Sequence, residues 1–227
     1  MKFKVLLLPA LLLVLTACDK KESMPKEITL ATDDDRFSYG LGMLVGERVL
    51  KQYGDMDYDL LLAGMKAQHN SEDTLITLEE AGNALNAYME KQFAEESSGN
   101  RKRGEDYLKA NAEKEGVQIT ESGLQYSIIT SGDGAKPKAT DQVTVHYRGT
   151  LIDGTEFDSS YSRGSPTSFT LDQVIPGWTE GVQLMSVGSK YRFVIPYDLA
   201  YGERGAGGSI GPFETLIFEV ELIEIGS

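Results

Sequence analysis

Cysteine and histidine are scarce in this 227-residue chain, which has one Cys and two His. A lone cysteine, Cys18, excludes an internal disulfide and every multi-cysteine metal site. With only His69 and His146 available, a histidine-based zinc site would need carboxylates brought in by chance, so no metal and no cofactor is expected. Positive charge is also short, with 22 Lys and Arg against 35 Asp and Glu for a net charge of −13. That balance excludes nucleic acid as a partner, because phosphate binding needs a basic face. The deficit is −6 over residues 1–116 and −7 over residues 117–227, an even spread that reads as solvated surface. Repeats are absent. What remains is 41% apolar, enough for a packed core and too much for global disorder. The length suits one ordinary domain plus a smaller module.

The first residues read as processing signal. Lys2 and Lys4 precede an apolar run, Val5–Leu15, too short to span a bilayer but suited to a signal-peptide core. It ends in Leu15-Thr16-Ala17-Cys18, which resembles a bacterial lipobox. The resemblance implies cleavage after residue 17 and lipid attachment at Cys18, with the acyl chains as membrane anchor. An ordinary secretory peptide with a chance cysteine is the alternative. The expected home is the bacterial cell envelope, as a periplasm-facing or surface lipoprotein. Asp19 does not choose between inner and outer membrane. Residues 18–32 form a polar tether with one proline, Pro25.

Helical spacing follows. Asp33-Asp34-Asp35 offers capping carboxylates before Phe37, Leu41, Leu44, Val45 and Val49, which share a helical face. Gly54 and the aspartates at 55, 57 and 59 end that helix, and Leu60–Met65 begins a shorter one. Thr77-Leu78-Glu79-Glu80 reads as a capping box opening a helix with Ala81, Leu85, Met89 and Phe93 at four-residue spacing. A module over 33–95 is too small to bury these stripes alone, and a second copy is the simplest partner. Packing on the C-terminal domain is the alternative. From 96 to 116 the helix turns polar, as expected of a connector bridging domains through solvent. Ser97-Ser98-Gly99-Asn100 and Gly104 are weak helix formers and mark a soft point in it.

Residues 117–227 change to short β-rich runs between glycine turns: Leu124–Thr130, Gln142–Leu151, Thr155–Asp158, Ser168–Leu171, Ser189–Ile195 and Thr215–Ile225. Asp153-Gly154 is a hairpin turn, and Pro176 suits the first turn of a helix carrying Trp178, Val182 and Leu184. Leu216, Phe218, Val220 and Leu222 alternate with a mixed face. The expected fold is an α+β C-terminal domain, a half-open antiparallel sheet wrapped around one short helix. It follows an all-α dimerisation module and a long connecting helix.

Five ordered blocks carry a resemblance. Val143–Gly149, Asp153–Ser160, Val174–Trp178, Leu199–Gly202 and Thr215–Leu222 resemble the blocks of FK506-binding-protein peptidyl-prolyl isomerases. The helical module and Gly207–Pro212 resemble the macrophage infectivity potentiator-like branch, which implies a homodimer through the module. The resemblance implies an apolar cleft floored by Trp178 and walled by Tyr147, Phe157, Val174, Ile175, Ile210 and Phe218. Asp158 and the Tyr201 hydroxyl would be its polar points. Of these, Asp158, Tyr201, Tyr147 and Phe157 would act in catalysis, and Val174, Ile175, Trp178, Ile210 and Phe218 would hold substrate. The implied substrates are unfolded or proline-containing polypeptides, and macrolides of the FK506 and rapamycin type are implied ligands. Thr167, Ala206, Gly211-Pro212 and Phe213 depart from the family pattern, and all four are expected to alter the rim. A holdase chaperone or surface binding module with little isomerase activity is the competing reading. It has no need to keep Asp158, Phe157 and Tyr201 together.

Overall fold

The computed structural model describes residues 28–226; the expected signal peptide, Cys18 and most of the expected tether lie outside the described residues. The backbone divides into two compact units between Thr74 and Leu75.

The first unit holds helices α1 (Asp33–Arg48) and α2 (Tyr58–Asn70). Thr32, not an aspartate, caps α1. Its hydroxyl accepts from the Asp35 amide at 3.1 Å, and the Asp35 carboxylate accepts the Thr32 amide at 2.8 Å. The aspartates therefore sit in the first turn, where negative charge meets the positive end of the helix dipole. Asp57 caps α2 by accepting from the Asp59 and Leu60 amides at 2.9 and 3.0 Å. Neither helix buries a residue. Phe37 is 71% exposed, and Leu41, Leu44, Leu60, Leu62 and Met65 are exposed with it.

The second unit opens with α3 (Leu78–Ala112), capped by Thr77 and Glu80 as the sequence suggests. At 35 residues it is about 52 Å long. It runs unbroken through 97–104, against the expected soft point, and through the expected module boundary at 95/96. The weak formers have a packing role: Asn100, Gly104 and Asn111 are the buried residues of this helix. Gln125 donates to the Leu108 carbonyl at 2.9 Å and accepts from Asn111 at 2.8 Å, and Arg192 donates to the Tyr107 hydroxyl at 2.8 Å. Docking offsets the intrinsic cost of about 1 kcal/mol for a helical glycine. The last third of α3 is thus part of the domain wall and not a solvent bridge.

Seven strands follow: β1 (Gln118–Ile119), β2 (Gln125–Thr130), β3 (Gln142–Leu151), β4 (Glu156–Ser159), β5 (Thr167–Thr170), β6 (Lys190–Ile195) and β7 (Leu216–Ile225). They form one antiparallel sheet in the order β1-β2-β6-β7-β3-β4, with β5 also on β3. Ten-residue β3 pairs with β7 along one edge; its other edge takes β5 at 142–145 and β4 at 148–150. The Asp153-Gly154 turn joins β3 to β4, with Gly154 at φ +92°. Helix α4 (Pro176–Leu184) lies on the sheet with Pro176 in its first turn. Two glycines let it approach: a β-carbon on Gly177 would run into Ile195, and one on Gly181 would stand 2.7 Å from the Phe193 ring. Between helix and sheet sits the core, including Leu124, Val143, Val145, Val182, Met185 and Phe193. Leu216, Phe218, Val220 and Leu222 of β7 all point into it.

The α+β architecture expected from the sequence is the one observed. The two-residue β1 was not foreseen; it is too short to carry a periodicity.

Candidate active site

A cleft of about 600 Å³ opens beside the core, lined from both the sheet and α4. Its walls come from six places, one of them β5, which supplies Phe169. Strand β3 supplies Tyr147, and β4 supplies Phe157 and Asp158. The start of α4 and the segment before it supply Val174, Ile175 and Trp178. Strand β7 supplies Phe218, and the 200–210 loop supplies Tyr201 and Ile210. All nine protein-contacting residues named from the sequence line this one cleft. Strand alternation turns Tyr147 and Phe218 inward with their buried neighbours.

The floor is a lattice of rings. Trp178 is 4% exposed and meets Tyr147, Phe169 and Phe218 edge-on, at centroid distances of 5.2, 5.5 and 5.3 Å. Phe157 stands edge-on to Phe218 at 5.5 Å. Each such pair contributes about 0.5–1.5 kcal/mol beyond its burial and fixes ring orientation.

One wall is polar. The Tyr147 hydroxyl donates to Asp158 at 2.5 Å, Arg163 pairs with the other Asp158 oxygen, and Arg163 also donates to the Tyr147 hydroxyl at 2.8 Å. The guanidinium lies 5.4 Å over the Tyr147 ring and reaches the Thr167 hydroxyl at 3.3 Å. Partial burial pushes the Asp158 carboxyl up, but the hydrogen bonds from Tyr147 and Arg163 outweigh it and hold the group below its ordinary value. Burial and the bond to Asp158 push the Tyr147 phenol up, only partly offset by Arg163. Tyr201, 42% exposed at the mouth, is pushed up by burial and by the Asp158 charge. Asp158 is therefore anionic, held, and short of free lone pairs.

Arg163 and Phe169 were missed in the sequence. Arg163 lies in a Ser-Arg-Gly-Ser turn with no periodicity, five residues past the carboxylate it binds. Phe169 lies on a four-residue strand, though its alternation with Ser168 and Thr170 was a usable signal. Gln173, Ala206, Gly207 and Ser209 complete the lining.

The departures from the family pattern divide. Ala206 lines the cleft, bridged to Ile210 by backbone bonds of 2.8 and 3.1 Å, and Thr167 supports Arg163. Gly211, Pro212 and Phe213 do not line the cleft themselves. The Pro212 carbonyl accepts from Asn100 at 2.8 Å, and Arg101 lies 4.2 Å over the Phe213 ring. A β-carbon on Gly211 would stand 2.6 Å from Glu96. Their surroundings are α3, which explains both the small residue and the aromatic one.

Two family models match the chain. One, for the FKBP-type peptidyl-prolyl cis-trans isomerase, covers residues 133–223. The other, for the domain amino-terminal to such isomerases, covers residues 34–128. The FKBP-type peptidyl-prolyl cis-trans isomerase FkpA of Aeromonas hydrophila is 44% identical, over 98% of this chain and 94% of its own length. This chain belongs to the FKBP-type peptidyl-prolyl cis-trans isomerases. The FKBP-type 22 kDa isomerase of Escherichia coli is 46% identical over 87% of this chain and 98% of its own. The outer membrane protein MIP of Legionella longbeachae is 43% identical over 87% and 88%. Among solved structures, FkpA from Escherichia coli superposes with a TM-score of 0.67 at 36% identity, covering 87% of this chain and 98% of that one.

Proposed function

We propose that the cleft between β3, β4, β7 and α4 is where this isomerase rotates X-Pro peptide bonds, in polypeptides delivered across the bacterial inner membrane. The observation that carries this is the gathering of Tyr147, Phe157, Asp158, Trp178, Tyr201 and Phe218 around one apolar space. Rotation about a peptide bond is opposed by about 18–20 kcal/mol, because resonance gives the C–N bond double-bond character. Water stabilises the charge-separated planar form, and an apolar cleft withdraws that stabilisation. The prolyl ring rests on the Trp178 indole between Tyr147, Phe157 and Phe218. The N–H of Ile175, at the N-terminus of α4, and the Tyr201 hydroxyl donate to the substrate carbonyls and hold the chain while the bond turns. Uncatalysed isomerisation takes tens to hundreds of seconds, so turnover of hundreds per second requires about 10⁴-fold, or ~5–6 kcal/mol. Asp158 and Arg163 keep the Tyr147 ring in place and take no proton. Large apolar macrolide rings of the FK506 and rapamycin type would compete for the same space.

The helices serve delivery. Phe37, Leu41 and Leu44 on α1, and Leu85, Met89 and Phe93 on α3, are all exposed in the single chain, and each stripe is taken to be covered by a second copy. The match of residues 34–128 to the domain that precedes such isomerases is consistent with that reading. Lipid at Cys18 would tie the dimer to the envelope. No described helix is long and apolar enough to cross a membrane, and the relatives are bacterial proteins, one named for the outer membrane. Replacing Cys18 by Ser should move the exported protein from the membrane to the soluble fraction. A protease-coupled assay on a prolyl tetrapeptide tests the isomerase site: a pure holdase would slow aggregation of a client without accelerating that peptide.

A further inference from the structure

The 202–215 segment forms one side of the cleft, yet it is held from outside the sheet. Ile210, Ala206 and Gly207 line the cleft at one end of it. At the other end Phe213 sits at φ +56°, a left-handed conformation uncommon for any residue but glycine and a genuine outlier for a bulky ring. Such a conformation persists only when its surroundings over-determine it. Four contacts do so here. The Phe213 amide donates to the Gly202 carbonyl at 3.0 Å, closing the segment on itself next to Tyr201. The Phe213 ring meets Tyr197 edge-on at 5.0 Å. From α3, the Arg101 guanidinium covers Phe213 at 4.2 Å and Tyr197 at 5.8 Å. Also from α3, Asn100, 1% exposed, donates to the Pro212 carbonyl at 2.8 Å and accepts from Arg103. The helix can come this close because residue 104 is glycine, whose β-carbon would stand 2.5 Å from the buried Thr215 hydroxyl.

We infer that Asn100 and Arg101 on α3 are positioning residues for isomerisation, clamping the base of the 202–215 segment so that Tyr201 and Ile210 stand at the mouth of the cleft. This rests on the cleft being the site of reaction. The chemistry on the page is specific: a cation over two rings, and a buried amide on a carbonyl that has no other protein partner. Neither residue touches the cleft, so their effect passes through Phe213 and Pro212. The working catalytic unit then begins near residue 96, and a fragment starting at 117 would lack the clamp.

The clamp makes a kinetic statement. If its loss leaves the competent arrangement populated about one time in five, apparent affinity falls about fivefold while the bound complex turns over as before. The test uses the full mature chain with a prolyl tetrapeptide, comparing wild type, Arg101→Ala and the Asn100→Ala/Arg101→Ala double variant. Arg101→Lys, which keeps a cation over the rings, is the rescue. Lys102→Ala, on the exposed face of the same turn, is the control. The expected result is a KM raised about fivefold in the double variant with kcat held, and a melting temperature lowered by a few degrees because Asn100 is buried. Arg101→Ala should lie between, Lys should restore most of the loss, and the control should match wild type. The Ile210 amide resonance should broaden in the alanine variants. An unchanged KM in a folded double variant would overturn the inference, as would a fall in kcat alone, which reports fewer folded molecules. A wild type unable to turn the peptide over would overturn the site assignment and the clamp together.

Discussion

Two kinds of apolar surface in this chain are left open, and they differ in shape. Each of the stripes on α1, on α2 and on the first half of α3 lies on the convex surface of its own helix, and none of their residues is buried. The cleft beside α4 is concave and lined by rings that pack on one another before any ligand arrives. A convex stripe is completed by another stripe, whereas a concave ring-lined space is completed by one side chain. On the proposed reading, the same residue types serve assembly in one region and chemistry in the other. Damage to one should leave the other standing.

The sharpest break is Trp178→Ala. Removing the floor takes away ~2 kcal/mol of contact with the prolyl ring, so kcat/KM on a tetrapeptide should fall about thirtyfold. It also leaves a cavity under Tyr147, Phe169 and Phe218, costing about 3–5 kcal/mol in a denaturant titration. Oligomeric mass by light scattering should not change.

Charging the other surface is the mirror experiment. Leu85→Glu with Met89→Glu should convert the dimer to a monomer by light scattering and leave peptide turnover per cleft at the wild-type value. Refolding of a proline-rich client, which can engage two clefts at once, should slow severalfold as tethering is lost. Equal refolding by the monomer would remove the advantage assigned to the pair.

The smallest effect concerns pH. Asp158 has its carboxyl held below the ordinary value, so its charged network is complete above the unfolded carboxylate pKa and is lost only as pH falls through the lowered one. Tyr147 and Tyr201 are pushed above the ordinary phenol value and stay protonated. Peptide kcat/KM should therefore be flat from about pH 5 to about pH 9. A bell-shaped profile inside that window would signal a proton transfer that the cleft is not built for.

How legible each region was follows from the same contrast. The strands and α4 were read nearly to the residue, because alternation and glycine turns are local signals, and the ordered blocks brought every named wall residue to one cleft. Arg163 escaped because a turn has no period. The docking of α3 escaped for a different reason. Asn100 and Gly104 look like helix breakers when only propensity is weighed, and their role appears once Pro212 and Thr215 are packed against them. Phe213 likewise looked like a rim residue by its neighbours in sequence. Long-range packing overrode local preference at each of these positions.

The central claim is that an anchored carboxylate and a mouth hydroxyl organise an otherwise apolar cleft for rotation. The most direct measurement is tetrapeptide kcat/KM for the Asp158→Leu/Tyr201→Phe double variant, with folding checked by circular dichroism. Losing one charge-assisted and one neutral hydrogen bond removes ~2–3 kcal/mol, so the value should fall by more than an order of magnitude with the fold intact. A folded double variant with wild-type turnover would contradict the account.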